Sequence, residues 1–297
     1  MATLKDIELK IAGVKKTKQI TKAMNMVATS RLRGAQNAME GFRPYAAKFT
    51  EVLGSLAQKT SSESNPLLIP REEVKKVHLV LCTSDRGLCG GFNVGLTNAA
   101  KKFINDRANQ GMEFSFTNFG KKGRDWCKKN KFNIINQHLS VIGTKVNFSV
   151  ALNSGQTLVD AFLGDEYDEV YLIYSEFVSM ARQQPTVKQI LPIPPIEDTS
   201  IQDVDEYVPY QAEHLCEPSP DELLGELLPR NVYVQIFSGL LETSTSEHAA
   251  RMAAMDQATK ACNDMIESLT LVYNKARQAA VTADLMDIVG GAEALKG

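Results

Sequence analysis

The sequence predicts an α/β domain carried between two long terminal helices that pair with each other as a coiled coil. Three observations predict it. A seven-residue apolar period runs through residues 7–56, the same period returns near the C-terminal end, and the stretch between them changes to short apolar runs.

The first period starts at Ile7 and steps alternately by four and three through Ile11, Val14, Lys18, Thr21, Asn25, Ala28, Leu32, Ala35, Met39, Phe42, Ala46, Phe49, Leu53 and Leu56. Only Lys18, Thr21 and Asn25 are polar. A period held this long marks a coiled-coil helix, about 75 Å long at ~1.5 Å per residue. At the polar interruption the apolar residues shift to Ile20, Met24 and Val27, so a second partner is expected on that face. Pro44 is a potential kink.

Met252, Met255, Thr259, Cys262, Ile266, Leu269, Tyr273, Ala276, Ala280 and Ala283 repeat the pattern, with Thr259 the polar exception. Neither helix can bury its stripe alone, and pairing the two is the economical solution. Between them, the runs at 77–82, 113–118, 170–174 and 186–193 read as strands, and 94–109 as an amphipathic helix. This alternation predicts a Rossmann-like α/β domain around a largely parallel sheet. The expected divisions are a helix over 1–60, the α/β domain over 75–196, an acidic segment over 197–230 and a second helix over 231–297. Linkers are expected at 61–70 and 192–195, where Ser and Pro cluster.

The chain has 297 residues, 43% of them hydrophobic, enough to bury a core. Its net charge of -2 excludes a generally basic nucleic-acid protein. Charge is nevertheless segregated. Lys10, Lys15, Lys16, Lys18, Lys22, Arg31 and Arg33 lie in a stretch with no acid between Glu8 and Glu40, whereas 189–229 contains no Lys or Arg and ten acids. No aromatic residue interleaves the basic stretch, which suits an acidic protein surface better than a nucleic-acid groove. No run approaches the 18 or so apolar residues that cross a membrane. The lysine-rich N-terminus is interrupted by Asp6 and Glu8 and lacks Arg, so it does not read as a transit peptide. Cys82, Cys89, Cys127, Cys216 and Cys262 are scattered, as in a reduced compartment.

The segment Ser84-Asp85-Arg86-Gly87-Leu88-Cys89-Gly90-Gly91-Phe92-Asn93 follows a predicted strand and opens a predicted helix, the place where glycines can cradle a phosphate. It matches neither phosphate-loop nor dinucleotide spacing, and a structural turn is the stronger reading. Cys89 has no neighbouring base in the sequence, and His78, His138, His214 and His248 form neither a nucleophile pair nor a metal spacing. No cofactor is expected.

Five separated stretches resemble the γ subunits of F-type ATP synthases of the bacterial type: 20–28 (ITKAMNMVA), the loop 85–93, 250–255 (ARMAAM), 271–279 (LVYNKARQA) and 288–295 (IVGGAEAL). The resemblance runs from end to end. It implies an antiparallel coiled coil inside a ring of three α and three β subunits, with the α/β domain toward the ε subunit and the c-ring. It implies a central rotor shaft without a catalytic site, peripheral to the cytoplasmic face of the bacterial inner membrane. Residue by residue it implies contacts through Lys22 and Met24 to an acidic lever of β, and through Arg277 and Gln278 to a loop of the ring. Arg251, Arg86 and Cys89 are further implied contacts, and Tyr207 and Tyr210 lie in the acidic span implied to face ε and the c-ring. A single cysteine, Cys216, in that neighbourhood implies no thiol switch. The alternatives are a nucleic-acid-binding coiled-coil protein and a nucleotide-binding enzyme using residues 87–91.

Overall fold

A computed structural model describes residues 3–59, 65–107, 111–194, 217 and 219–294. The elements are α1 (Leu4–Lys59), β1 (Lys76–Cys82), α2 (Phe92–Arg107), β2 (Glu113–Phe119), α3 (Lys121–Lys129), β3 (Asn133–His138), α4 (Phe148–Leu163), β4 (Glu169–Phe177), β5 (Gln183–Leu191) and α5 (Pro220–Ala294). They form two compact units, Met1–Ala28 with Met252–Gly297, and Thr29–Arg251.

The expected divisions need two corrections. α5 begins at Pro220 and not at 231, because Leu223, Leu224, Leu227 and Leu228 give the end of the acidic segment an apolar helical face that packs into the core. The unit boundary also crosses both long helices, since the residues of α1 after Ala28 pack in the larger unit.

In the smaller unit α1 and α5 run antiparallel. Thr21 and Thr259 share a hydrogen bond of 2.8 Å, and the Asn25 amide donates to the Met252 carbonyl at 2.8 Å. Residue numbers thus rise on one helix as they fall on the other. Thr21 and Asn25 stay on the seam, satisfied by polar partners, while Ile20 and Val27 are exposed. At the start of α1, Thr3 and Asp6 exchange backbone-to-side-chain hydrogen bonds of 3.0 and 3.3 Å, a reciprocal cap. The acid that breaks the transit-peptide pattern is half of this cap.

The register sets where pairing ends. With Thr21 opposite Thr259, Leu4 falls opposite the turn around Tyr273–Ala276, and α5 from Val281 onward has no α1 residue opposite it. Val281, Leu285, Met286, Ile288 and Val289 are all exposed, up to 68% for Met286 and Ile288.

The larger unit holds a five-stranded sheet in the order β3-β2-β1-β4-β5. Four strands are parallel and β5 is antiparallel to β4 at one edge. Strand periodicity sorts the side chains onto two faces. Val77, Leu79, Leu81, Phe116, Tyr171 and Ile173 pack against α2 and α3. Val80, Cys82, Phe119, Val170 and Leu172 pack against α4 and the larger-unit parts of α1 and α5, through Leu53, Phe162, Leu228, Ile236 and Leu240. Pro44 lies inside α1 without ending it.

Candidate partner-contact sites

The glycine-rich segment leaves β1 at the carboxyl end of the sheet, where ligands of open α/β sheets bind. Here this chain's own side chains occupy the position. Asp85 accepts hydrogen bonds from the backbone N–H of Lys121, at the start of α3, at 3.2 Å and from that of Ser140 at 3.1 Å. A carboxylate thus takes the amides that an anion would seek. The Ser84 N–H donates to Asn93 Oδ1 at 3.0 Å and the Ser84 hydroxyl to the Arg86 carbonyl at 2.6 Å.

Gly120, at φ 97°, lets α3 start this close: a Cβ there would stand 2.0 Å from the Thr83 carbonyl oxygen. The loop tip carries Arg86 and Leu88, both exposed. Leu88 is a non-glycine residue at φ 64°, and it turns an apolar side chain to solvent.

Two residues expected as contacts lie elsewhere. Cys89 is buried, its Sγ accepting from the Asn93 amide at 3.1 Å, and burial pushes its thiol up from the ordinary value. It packs beneath the tip and offers no surface. Arg251 is engaged inside the chain. Its guanidinium donates to the carbonyls of Arg86 and Gly87, both at 3.3 Å, and meets Glu247 at 2.7 Å, with Glu247 almost wholly buried. Arg251 therefore holds the tip in place from behind. Burial raises the Glu247 carboxyl, while Arg251 beside it opposes that rise. Glu247 carried no sequence signal beyond its four-residue spacing to Arg251 within a polar run, residues 242–248, of α5.

In the smaller unit Lys22 is exposed and Met24 half-buried, and Arg277 and Gln278 are exposed. Three of the four side chains are open to solvent. Tyr207 and Tyr210 lie outside the described residues, as do Cys216 and most of the acidic span.

The model of one family, described as ATP synthase, matches residues 3–295. A relative from Desulfosudis oleivorans named ATP synthase gamma chain is 62% identical over the full length of both chains. The chain belongs to the ATP synthase gamma chain family. A second gamma chain, from Desulforapulum autotrophicum, is 61% identical, covering 99% of this chain and all of that one. Among solved structures, the rotor of Euglena gracilis mitochondrial ATP synthase superposes with a TM-score of 0.67 at 19% identity, covering 94% of this chain and 98% of that one, a likeness of fold. Membership in the gamma chain family leaves the nucleic-acid reading without support. The basic stretch of α1 is then a feature of a gamma chain.

Proposed function

We propose that this chain is the central rotor shaft of a proton-translocating F-type ATP synthase, coupling rotation of a c-ring to conformational changes in catalytic β subunits. The observation that carries the reading beyond family membership is the apolar stripe from Val281 to Val289 on a part of α5 that the register leaves without α1. A stripe of this kind needs a partner. A surrounding sleeve of three α and three β subunits supplies one without fixing the shaft at a single angle.

Lys22, Met24, Arg277 and Gln278 act as contacts to that ring, and Arg86 with Leu88 presents a stiff tip to it. The ε subunit and the c-ring are the partners of the α/β unit, and Tyr207 and Tyr210 of the acidic span are contacts to them. The chain carries no catalytic site, a reading supported by Asp85 filling the anion position of the glycine loop. No helix among the described residues is long and apolar enough to cross a membrane. Attachment through the c-ring, at the cytoplasmic face of the bacterial inner membrane, is the proposed location.

The mechanism is differential contact. A shaft that drives a β subunit from 1:99 to 99:1 between two states must favour one by about 5.5 kcal/mol, which only an asymmetric surface can supply in turn to each subunit. The test attaches a bead to the complex at Lys102→Cys on exposed α2, with the ring immobilised. Stepped rotation driven by ATP is expected. ATP hydrolysis by the assembled complex with a stationary bead overturns the reading.

A further inference from the structure

Within the larger unit, α1, α5 and residues 143–146 enclose a cavity of about 640 Å³ that the rotor reading does not use. Its floor is apolar, made by Val146, Phe237 and Leu241, and Ala35 and Ala38 on α1 leave the space open. Arg31 and Lys145 stand at its exposed rim. Arg31 donates to the Gly143 carbonyl at 2.9 Å, and neither cation enters an ion pair among the described residues.

Beside the floor lies His248, 3% exposed, with no hydrogen-bond partner for its Nδ1 among the described residues. Burial, helped by Arg251 and Arg31, pushes this imidazole down to about 4, so it is neutral at pH 7 and able to give or accept a hydrogen bond. The acid behind the cavity wall, Glu247, pairs one oxygen with Arg251 at 2.7 Å and also feels Arg31, so Lys145 is the rim cation that no acid among the described residues meets.

We propose that this cavity binds a small amphipathic carboxylate, its apolar body on Phe237, Leu241 and Val146 and its head on Arg31 and Lys145. The volume lies in the range of small-molecule sites, roughly 300–1,000 Å³, and the lining has their composition, apolar walls with a few convergent polar groups. A guanidinium matches a carboxylate in two parallel hydrogen bonds, which favours this head over a neutral one. A molecule seated there touches both long helices and the segment after β3 at once, and holds them together.

The test titrates the full chain calorimetrically with decanoate and with its neutral counterpart decanol. Decanoate is expected to bind at least about tenfold more tightly. Ala38→Trp, which fills the cavity from the exposed face of α1, is expected to remove binding of both. Lys145→Gln, at an exposed position with no ion-pair partner among the described residues, is expected to weaken decanoate and leave decanol unchanged. The thermal midpoint of each variant reports its fold, and Lys145→Gln carries the test if Ala38→Trp unfolds. Absence of decanoate binding, equal affinity for the two probes, or a folded Ala38→Trp that binds decanoate as the parent does would each overturn the proposal. The last outcome places the binding on the exposed stripe of α5 instead.

Discussion

Thr21 and Thr259, 238 positions apart in the chain, hydrogen-bond to each other across the helix pair at 2.8 Å; one hydroxyl donates across the pair and the other donates to the carbonyl of its own helix, Lys18 for Thr21 or Met255 for Thr259. The pair interrupts two apolar stripes at the same level. A polar pair buried in a seam fixes register, because sliding by one heptad sets each hydroxyl against an apolar side chain.

Replacing either threonine with valine leaves the other hydroxyl its helical carbonyl, so each single change should cost only about 0.5–1.5 kcal/mol. The double Thr21→Val, Thr259→Val variant should be less destabilised than the two singles added together. Denaturant unfolding of the four proteins measures this coupling. Additive losses would show that the hydroxyls act independently.

Stability should depend on pH through His78. Its ring nitrogens meet the hydroxyls of Ser115 at 2.7 Å and Thr117 at 2.9 Å, its ring stacks on Tyr167, and burial pushes it down to about 3. The folded pKa is depressed, so the unfolded chain takes up a proton that the folded chain refuses. The stabilisation from a neutral His78 is complete above about pH 6.5 and is lost as pH falls from there toward 3. His78→Gln removes this dependence. The stability gap between parent and variant should narrow by about 2 kcal/mol between pH 7.5 and pH 5, measured by urea unfolding. A gap unchanged with pH would refute it.

Met24→Lys should reduce proton pumping by the reconstituted complex while leaving the isolated chain near its parent unfolding temperature. The half-buried thioether at that position lies one helical turn from the exposed Ile20 and Val27. Under the proposed contact with an acidic lever of β, a flexible ammonium there favours one angular state, and a bias of ~1.4 kcal/mol changes its dwell about tenfold. A large fall in unfolding temperature with normal pumping per complex would instead make Met24 a packing residue of the helix pair.

The terminal helices were legible because heptad spacing is a direct imprint of burial: all fifteen predicted positions from Ile7 to Leu56 are buried or half-buried. β3 was not. Its sequence, Asn-Ile-Ile-Asn-Gln-His, has two apolar residues, since an edge strand buries one face only partly. α3 was hidden by its four lysines and one arginine around Trp126 and Cys127. Among the contact residues, exposure of Lys22, Arg277 and Gln278 agrees with a surface role, but sequence cannot distinguish an arginine offered outward from one turned inward. Arg251 is turned inward because Glu247, four residues earlier, and two loop carbonyls compete for it successfully.

The carboxylate of Asp85 in the mouth of the sheet has a mechanical consequence. A loop ordered by a bound nucleotide changes stiffness whenever the cellular energy charge changes. This one is braced by Asp85, a covalent part of its own chain, through the Lys121 and Ser140 amides, so the profile of Leu88 and Arg86 is set from within the chain. For the rotor proposed above, bracing from within gives the tip a shape that does not depend on a bound ligand.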